Sequence, residues 1–567
     1  MEHLKERENN MKKNIVVLFF ASLALVGCSD SWLDRQYDGG SISQEKYDAL
    51  GTDKLEGAMQ GLYTRIYTMN SSDHDEFGQR SIDLWGDILC GDIAVTDKTY
   101  GWLYKDEQML TYSRTGTIWT FYYKMLSDIN STIFSIESSS SLSDLIAQYG
   151  YPSPTCAYKY SSEETTYALY LAQALAMRGY CYSSLARLYT PVETCDYMRG
   201  KTIESYLCVP IYTENNYENP QPLSTSAAVY NRAFNDLKKS IDIFDLFGAY
   251  YKDSINDGGE FKRHSKLSMD INVARGLLAY AYLNAAPYYK SIDMATAMDY
   301  NRKAYSYAND VIQSGEYSII MNDKLYSTGF NSVDNASWIW GQHVVTETTG
   351  GLRSWFGQMD IHSYSYAWAG DTKVIDDNLE GQISAWDGRK RWFNDGKVKA
   401  KFKGCPDGKF FSAASPTSTN TDDIDREWLS DNILMRIESM YLIAAEACCA
   451  IDSLDAAVGF LTTITDQRLN DKYPDAASDY AAYKAGLTSQ SAILNALEYN
   501  WRIEMWGEGY GLQTFRRLVP QLTSATARKR GGNHSSADGA EVKPEMSNFN
   551  FTIPSSESTY NPNIKNL

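Results

Sequence analysis

The chain has 567 residues, of which 43% are hydrophobic and 22% are charged, values that argue against a disordered chain or a polytopic membrane protein. Its 71 acidic residues outnumber its 53 basic residues and give a net charge of −18, which argues against nucleic acid as a partner. Aromatic residues make up 13%, more ring surface than the core requires, so we expect some rings on the surface.

The N-terminal segment resembles a bacterial export signal. Lys12 and Lys13 precede the apolar run Ile15–Val26, which is too short to span a membrane as a stable anchor. The stretch before Met11 carries charges of both signs, so we interpret Met11 as the biological start. The run leads into Cys28 as in lipoprotein signals, which predicts a signal peptide over residues 1–27, lipidation of Cys28 and placement at the outer membrane.

Helical periodicity begins near residue 167. Large apolar residues recur every three or four positions up to Tyr189, while small residues occupy another face, which predicts an amphipathic helix. Pro191 ends this helix, and Ser224 and Ser226 are candidate caps for a second helix over Val229–Phe247. Further hairpins of the same kind follow, so that three hairpins are predicted over residues 167–247, 271–312 and 434–469.

The hairpins resemble tetratricopeptide repeats with irregular spacing. Each hairpin leaves an apolar face uncovered, and stacking the hairpins covers it. Additional helices are predicted over Leu50–Tyr67, Ile118–Ile136 and Ile493–Trp506. We therefore predict a mainly α fold, in which tetratricopeptide-like helical hairpins form a right-handed superhelical scaffold with long irregular loop insertions and minor β structure.

Two long stretches, about 70–117 and 319–430, lack this periodicity and contain many aromatic residues. Long loops over a rigid scaffold are usually functional, so both stretches are predicted to bind ligand. One exception is the alternating run Ser337–Gln342, which predicts a buried strand that contains Trp338 and Trp340.

Motifs for metal, cofactor and nucleophile chemistry are missing from the sequence. The six histidines are scattered without ligand spacing, and the acidic run from Asp422 to Asp425 is interpreted as a solvated loop in preference to a calcium site. The Gly507–Gly511 segment follows a helix instead of a strand, which argues against a phosphate loop. We predict neither a metal nor a cofactor. The eight cysteines after Cys28 form no CxxC pair, and a chain of this length requires no disulfide.

Several segments are informative because of the order in which they occur. They are the run ending at Cys28, Ala174–Tyr189, Lys266–Ala285, Met435–Ala447, Ile493–Leu518, and Phe551–Pro554 with Asn561–Asn563. In this order they resemble the SusD/RagB-like family, which comprises lipid-anchored nutrient-binding proteins of Bacteroidetes-type outer membranes that work with SusC-like TonB-dependent transporters. The resemblance implies that residues 28–567 form one SusD-like domain.

The charged residues of these segments are interpreted as structural. Glu504 and Glu508 are four residues apart on a predicted helix with arginines nearby, which favours an ion-pair network over acid/base catalysis. The chain departs from the family pattern at Tyr510 and Thr514, which puts one buried ion-pair arrangement in doubt. The positions that match the family are Glu446, Arg502, Glu504, Glu508, Arg516 and Arg517.

The resemblance also implies a shallow arc of aromatic side chains that binds a glycan. The apolar C–H face of a sugar ring stacks on aromatic rings, while its hydroxyl groups require polar partners. The predicted ligand-binding residues are Trp102, Trp355, Tyr364, Tyr366 and Trp368, with Arg353, Asp360, His362 and Asp371 as polar partners. Trp368 is the first choice, because it precedes an Asp387-Gly388-Arg389 turn as the stacking ring does in the family.

The function expected from this resemblance is non-catalytic. A surface lipoprotein would capture an oligosaccharide or polysaccharide and deliver it to a SusC-like TonB-dependent transporter in the outer membrane. The alternatives are peptide capture of the RagB type and a surface glycoside hydrolase, and a hydrolase would require two facing carboxylates that the loops do not identify. A structural or adhesive role is a further alternative.

Overall fold

The architecture is mainly helical, as the sequence predicts. The computed structural model describes residues 53–69, 74–96, 112–139, 142–253, 265–345, 350–361, 364–396, 400–411, 430–522, 527–535 and 539–564. From Leu55 onward the chain forms one compact unit, whereas the unit Met1–Lys54 lies almost entirely outside the described residues. The predicted signal peptide and Cys28 therefore lie outside the described residues.

The helices carry our own numbering in chain order. They are α1 (Asp53–Arg65), α2 (Gln79–Leu89), α3 (Tyr112–Glu137), α4 (Ser143–Tyr149), α5 (Ser162–Tyr189), α6 (Ser226–Leu246), α7 (Gly248–Asp253), α8 (Ile271–Ala285), α9 (Met294–Gln313), α10 (Trp355–Met359), α11 (Tyr366–Ala369), α12 (Asp377–Gln382), α13 (Ile437–Ala450), α14 (Leu454–Thr465), α15 (Ala476–Ala485), α16 (Gln490–Glu504), α17 (Gly511–Leu518) and α18 (Ser555–Tyr560).

Helical hairpins form the scaffold. The pairs α5 with α6, α8 with α9, and α13 with α14 pack side by side at the three predicted places. Helix α6 also packs on α8, and α9 packs on α13, so successive hairpins stack on one another. This stacking covers the apolar face that a single hairpin would leave exposed.

Small residues allow the first hairpin to close tightly. A Cβ atom at Gly179 of α5 would come within 2.6 Å of the Leu237 side chain on α6, so a larger residue there would push the helices apart. The prediction that a serine caps α6 is wrong, because the hydroxyl of Thr225 accepts the hydrogen bond from the backbone N–H of Ala228. Thr225 supplies the same type of oxygen and begins the helix a few residues earlier than predicted.

Short antiparallel strand pairs join distant parts of the chain. In the described residues β1 pairs with β5, β2 with β3, β4 with β6, and β7 with β8. The predicted strand is confirmed as β4, and its Trp338 and Trp340 are buried. The strands are β1 (Ile93–Val95), β2 (Leu207–Pro210), β3 (Leu223–Thr225), β4 (Trp338–Gln342), β5 (Lys373–Ile375), β6 (Asn432–Arg436), β7 (Arg528–Lys529) and β8 (Glu541–Val542).

The two long stretches contain more regular structure than the sequence indicates. The first includes α2 and β1, and the second includes β4, β5 and the short helices α10, α11 and α12. Strand β1 belongs to the first stretch and β5 to the second, with Ala94 opposite Val374. The two stretches that we predicted to bind ligand are therefore joined by an antiparallel strand pair.

Candidate functional site

Aromatic side chains reach the surface in residues 364–371, which we call the aromatic segment. Its centre is α11, and the hydroxyl oxygen of Ser365 caps this helix by accepting from the backbone N–H of Trp368 at 2.9 Å. The backbone N–H of Asp371 donates to the carbonyl of Tyr366 at 2.8 Å, which closes the other end. These local hydrogen bonds hold a short helix that is too short to be stable alone.

Tyr364 and Trp368 form a ring pair in this segment. Their ring centroids are 5.5 Å apart and their planes are tilted by 57°. Tyr364 is 45% exposed, and Trp368 is half-buried against a small apolar cluster that includes Val374 and Phe402. The pair therefore presents ring surface to solvent while the cluster fixes its position.

Lys401 covers part of this ring surface. Its ammonium nitrogen lies 4.8 Å from the ring centroid of Trp368 and donates to the backbone carbonyl of Trp368 at 3.3 Å. The indole N–H of Trp368 has no hydrogen-bond partner among the described residues. A buried donor without a partner is costly, so this N–H destabilises the segment slightly while the face of the ring remains the part of Trp368 that is open to contact.

A polar layer supports the third ring, Tyr366. This ring lies 4.3 Å from the imidazole of His74, whose Nε2 atom is 3.4 Å from a carboxylate oxygen of Asp371. Lys373 lies 3.6 Å from the same carboxylate and donates to the side-chain oxygen of Gln358 at 2.6 Å. The side chain of Gln358 in turn donates to the carbonyl of His74 at 2.9 Å, so the layer closes on itself.

The charges in this layer stabilise each other. Burial alone would raise the pKa of Asp371, but the Lys373 ammonium and the hydrogen bond with His74 hold that pKa below its usual value. Burial lowers the pKa of Lys373, against the opposing attraction of Asp371. Asp371 is thus a buried carboxylate that positions Tyr366 through His74, and one of its oxygens is already engaged by His74 and Lys373.

The other predicted site residues are distributed differently. Trp355 is 1% exposed, packs against Phe410 and lies beneath the guanidinium of Arg80, so the structure places it in the core and not on the candidate surface. Asp360 and Asp371 are also buried, whereas Arg353 is exposed in the turn before α10. Trp102 and His362 lie outside the described residues.

Comparison with known proteins finds similarity to one family. The SusD family model matches residues 297–566. A SusD-like protein of Bacteroides ovatus is 24% identical over 242 residues, which cover 41% of this chain and 35% of the relative, so the alignment spans about a third of that protein. In sequence the C-terminal half of the chain is therefore similar to SusD/RagB-like proteins.

Solved structures show the same fold over nearly the whole chain. A SusD-like carbohydrate binding protein from Bacteroides vulgatus superimposes with a TM-score of 0.64 at 20% identity, covering 91% of this chain and 97% of that chain. A SusD superfamily protein from Bacteroides thetaiotaomicron superimposes with a TM-score of 0.61 at 19% identity, covering 90% of this chain and 98% of that chain. None of the described helices in this protein is long and apolar enough to cross a membrane.

The predicted ion-pair network is confirmed at the charged family positions. Glu504 accepts from Arg436 at 2.8 Å, from Arg468 at 2.9 Å and from Arg389 at 3.2 Å. Glu508 accepts from Arg436 at 2.8 Å through one oxygen and at 2.9 Å through the other. We call the eight connected side chains the ion-pair cluster; they are Asp387, Arg389, Lys409, Arg436, Glu438, Arg468, Glu504 and Glu508.

The ion-pair cluster is buried and balanced, with four acids and four bases. Burial would raise the pKa of Glu504, but the guanidinium groups of Arg468 and Arg436 hold it well below its usual value. Arg436 and Lys409 likewise hold the pKa of Glu508 low despite its burial. Carboxylates that are fully engaged with cations inside the protein are suited to holding helices together and are poorly placed for acid/base work.

Related pairs surround the cluster. Arg517 lies 2.5 Å from a carboxylate oxygen of Glu446, and Arg502 lies 2.7 Å from Asp92. Arg516 instead donates to the carbonyls of Arg187 and Thr190 at the end of α5. The chain departs from the family pattern at Thr514. Arg517 still has a carboxylate partner, because it pairs with Glu446.

The glycine-rich segment after α16 binds an internal carboxylate. The backbone N–H groups of Gly509 and Gly511 donate to the two carboxylate oxygens of Asp87 at 3.2 and 3.0 Å. A Cβ atom at Gly509, where φ is +84°, would lie 2.4 Å from Asp83, so glycine is required. Burial, together with the nearby Asp92, raises the pKa of Asp87 to about 8. The Gly507–Gly511 segment, which superficially resembles a phosphate loop, thus holds α2 in place through Asp87.

Sequence reasoning missed three parts of the site region. His74 and Lys401 contact the predicted rings but lie about 290 and 30 positions away, with no local pattern that connects them to the segment. A helix was predicted over Ile118–Ile136 without a binding role, and Trp119 and Tyr123 of the observed helix α3 line a cavity. Aromatic spacing of four residues on that helix was the available signal. Among the described residues no group of three or more His, Cys, Asp or Glu could hold a metal ion, and the Asp422–Asp425 run lies outside them.

Proposed function

We propose that this protein is a non-catalytic glycan-binding protein of the cell surface, which captures an oligosaccharide and passes it to a SusC-like TonB-dependent transporter in the outer membrane. The observation that carries the proposal is the ring pair of Tyr364 and Trp368, exposed on a rigid support. Similarity to the SusD/RagB-like family supports the proposed location, lipid anchor at Cys28 and transporter partner. The description of a structural relative as a carbohydrate binding protein supports the ligand class.

Stacking explains how the site would work. A pyranose has one apolar face that packs on an aromatic ring, and each ring buried in this way contributes through the area removed from water. The tilt between Tyr364 and Trp368 gives a bent surface instead of a flat one, which suits a curved or twisted chain of sugars. Trp102 is the residue of the first stretch that we propose to extend this surface.

Binding measurements on the full chain, purified in detergent, test the proposal. We expect affinity electrophoresis and calorimetry against a panel of neutral polysaccharides to identify a ligand, and Trp368→Ala to weaken its binding at least tenfold, or about 1.4 kcal/mol. Tyr364→Ala should weaken binding less, because a phenol ring offers a smaller stacking surface than an indole. An unchanged melting temperature shows that each variant is folded.

Tyr149→Ala is the matched control for Tyr364→Ala. Tyr149 is 47% exposed against 45% for Tyr364, and it also belongs to a ring pair, 5.3 Å from Tyr158. The control should bind the ligand like the unmodified protein. Equal binding by Trp368→Ala and the unmodified protein would refute this site, and binding of peptides with no binding of glycans would favour RagB-type peptide capture.

A further inference from the structure

A second aromatic cavity lies along helix α3, away from the aromatic segment. Trp119 and Tyr123 of α3, Tyr212 and Tyr217 of the loop between β2 and β3, and Glu557 of α18 line a cavity of about 470 Å³. This volume falls within the range of roughly 300–1,000 Å³ that is typical of ligand pockets. We call this cavity the α3 groove. Its lining includes no residue of the aromatic segment.

Three rings of the α3 groove form a corner. The centroids of Trp119 and Tyr123 are 4.6 Å apart, and those of Tyr123 and Tyr212 are 5.7 Å apart. The planes of Tyr123 and Tyr212 are nearly perpendicular, at 82°. A corner of this kind offers one ring to the apolar face of a sugar and a second ring to its edge.

Hydrogen bonds fix these rings before any ligand arrives. The hydroxyl of Tyr123 donates to the carbonyl of Pro210 at 2.8 Å, and the hydroxyl of Tyr212 accepts from the backbone N–H of Gln221 at 3.3 Å. The indole N–H of Trp119 donates to the carboxylate of Glu557 at 3.3 Å. Because the polar atoms of the rings are held by the protein, the ring faces are pre-organised for apolar contact.

The rim of the groove offers polar groups of both kinds. Lys124, Glu218 and Asn219 are exposed, and their side chains form no hydrogen bond or ion pair with the described part of the chain. They present donors and acceptors that match the hydroxyl groups of a sugar. Two carboxylates and one ammonium group at this site disfavour a sulfated or phosphorylated ligand, because acidic charge predominates.

The groove continues along the helix. A neighbouring cavity of about 330 Å³ shares Thr120 and Lys124 with the α3 groove and extends toward α1 and Glu76. Both shared residues are exposed on α3, so the two cavities lie side by side along this helix. Neighbouring cavities with a ring corner in one of them fit a chain of sugars better than a single small molecule.

We propose that the α3 groove is a second binding site, for a neutral pyranose oligosaccharide, independent of the aromatic segment. The proposal rests on the proposed function for the ligand class but not for the location. Two sites on one protein raise the apparent affinity for a long polysaccharide, because binding at the first site holds the chain near the second. Short oligosaccharides would then occupy the two sites separately.

Fluorine NMR of the full chain labelled with 5-fluorotryptophan can observe both sites at once. Trp119→Phe and Trp368→Phe assign the two signals. The probes are maltohexaose, cellohexaose, xylohexaose and mannohexaose, with an uncharged glycine-serine hexapeptide as a comparison. We expect at least one hexasaccharide to shift the Trp119 signal, and we expect this shift to persist in Trp368→Ala.

Two tyrosine variants locate the effect. Tyr217→Ala should weaken the Trp119 response at least tenfold, because Tyr217 lines the α3 groove. Tyr560→Ala is the control, because Tyr560 is 83% exposed on the same helix as Glu557 but does not line the groove.

A Trp119 signal that no sugar shifts, a shift that disappears in Trp368→Ala, or a shift caused by the peptide alone would overturn the proposal. A response at Trp368 alone would leave the proposed function intact, and a response at Trp119 alone would refute the aromatic segment as the site.

Discussion

The ion-pair cluster and the aromatic segment both gather side chains that are distant in sequence, but they treat polar atoms differently. In the cluster, Glu504 and Glu508 have cationic partners for both carboxylate oxygens, inside the protein. In the aromatic segment, Trp368 has a buried indole N–H without a partner in the described residues, and Tyr364 exposes its ring. A region whose charges are paired inside the protein serves the fold, and a region that presents ring surface to solvent is available to a ligand.

Removing one charge from the ion-pair cluster should have the largest effect. Glu504→Gln leaves Arg436, Arg468 and Arg389 without their shared carboxylate, and we expect the free energy of unfolding to fall by about 3–5 kcal/mol. Urea unfolding followed by circular dichroism measures this loss. Binding to the aromatic segment should be unchanged at temperatures where the variant remains folded.

An exposed pair provides the control for that substitution. Asp299 lies 2.6 Å from Lys303, with side chains that are 48% and 41% exposed, and Asp299→Asn should change the free energy of unfolding by less than about 1 kcal/mol. If Glu504→Gln is as stable as Asp299→Asn, the interpretation of the cluster as a structural element is wrong.

Acid should weaken the contribution of the ion-pair cluster to stability without weakening glycan binding at the aromatic segment. The pKa values of Glu504 and Glu508 lie below their usual values in the folded protein, so these carboxylates stabilise the fold fully above about pH 4.5 and lose this contribution as the pH falls through their folded pKa values. Each unit of depression contributes about 1.4 kcal/mol. The free energy of unfolding should therefore decline below about pH 5.

Glu508→Gln tests this assignment, because it removes one of the titrating groups. Its free energy of unfolding should be lower than that of the unmodified protein at pH 7 and should decline less steeply between pH 5 and pH 3. Parallel curves for the two proteins would show that Glu508 does not titrate with a lowered pKa. Stacking of a sugar on an aromatic ring involves no proton transfer, so glycan binding should persist as long as the protein is folded.

The sequence predicts the hairpins because their apolar residues have a helical period. Helices α5 and α6 lie where periodicity and Pro191 indicate, and only the cap differs. Helix α2 was missed although Ile82, Trp85 and Leu89 recur at helical spacing, and its polar residues, including Arg80 and Asp87, are buried as well. The partners that permit this burial, such as Gly509 and Gly511, lie more than 400 positions later.

The sequence predicts only part of the candidate site, because this site also depends on contacts between distant segments. Trp355 and Trp368 lie in one aromatic stretch, and no local feature distinguishes the ring beneath Arg80 from the ring at the surface. His74, which supports Tyr366, enters the site through the β1–β5 pairing of distant segments. Contacts between residues that are far apart in sequence decide which rings are exposed, and local periodicity carries no information about such contacts.

The smallest expected effect concerns Lys401, whose ammonium group lies near the Trp368 ring. The Lys401 ammonium lies 4.8 Å from the Trp368 centroid, and one side of this indole packs on the small apolar cluster. A sugar that stacks on this indole competes with Lys401 for the ring, at a cost of about 0.5–1 kcal/mol for an exposed cation–π contact. Lys401→Ala should therefore tighten glycan binding by roughly two- to fivefold with little change in stability. Lys303→Ala, which removes an exposed ammonium 5.5 Å from the Tyr282 ring, should leave binding unchanged. Weaker binding by Lys401→Ala would mean that the ammonium contacts the ligand directly instead of competing with it for the ring.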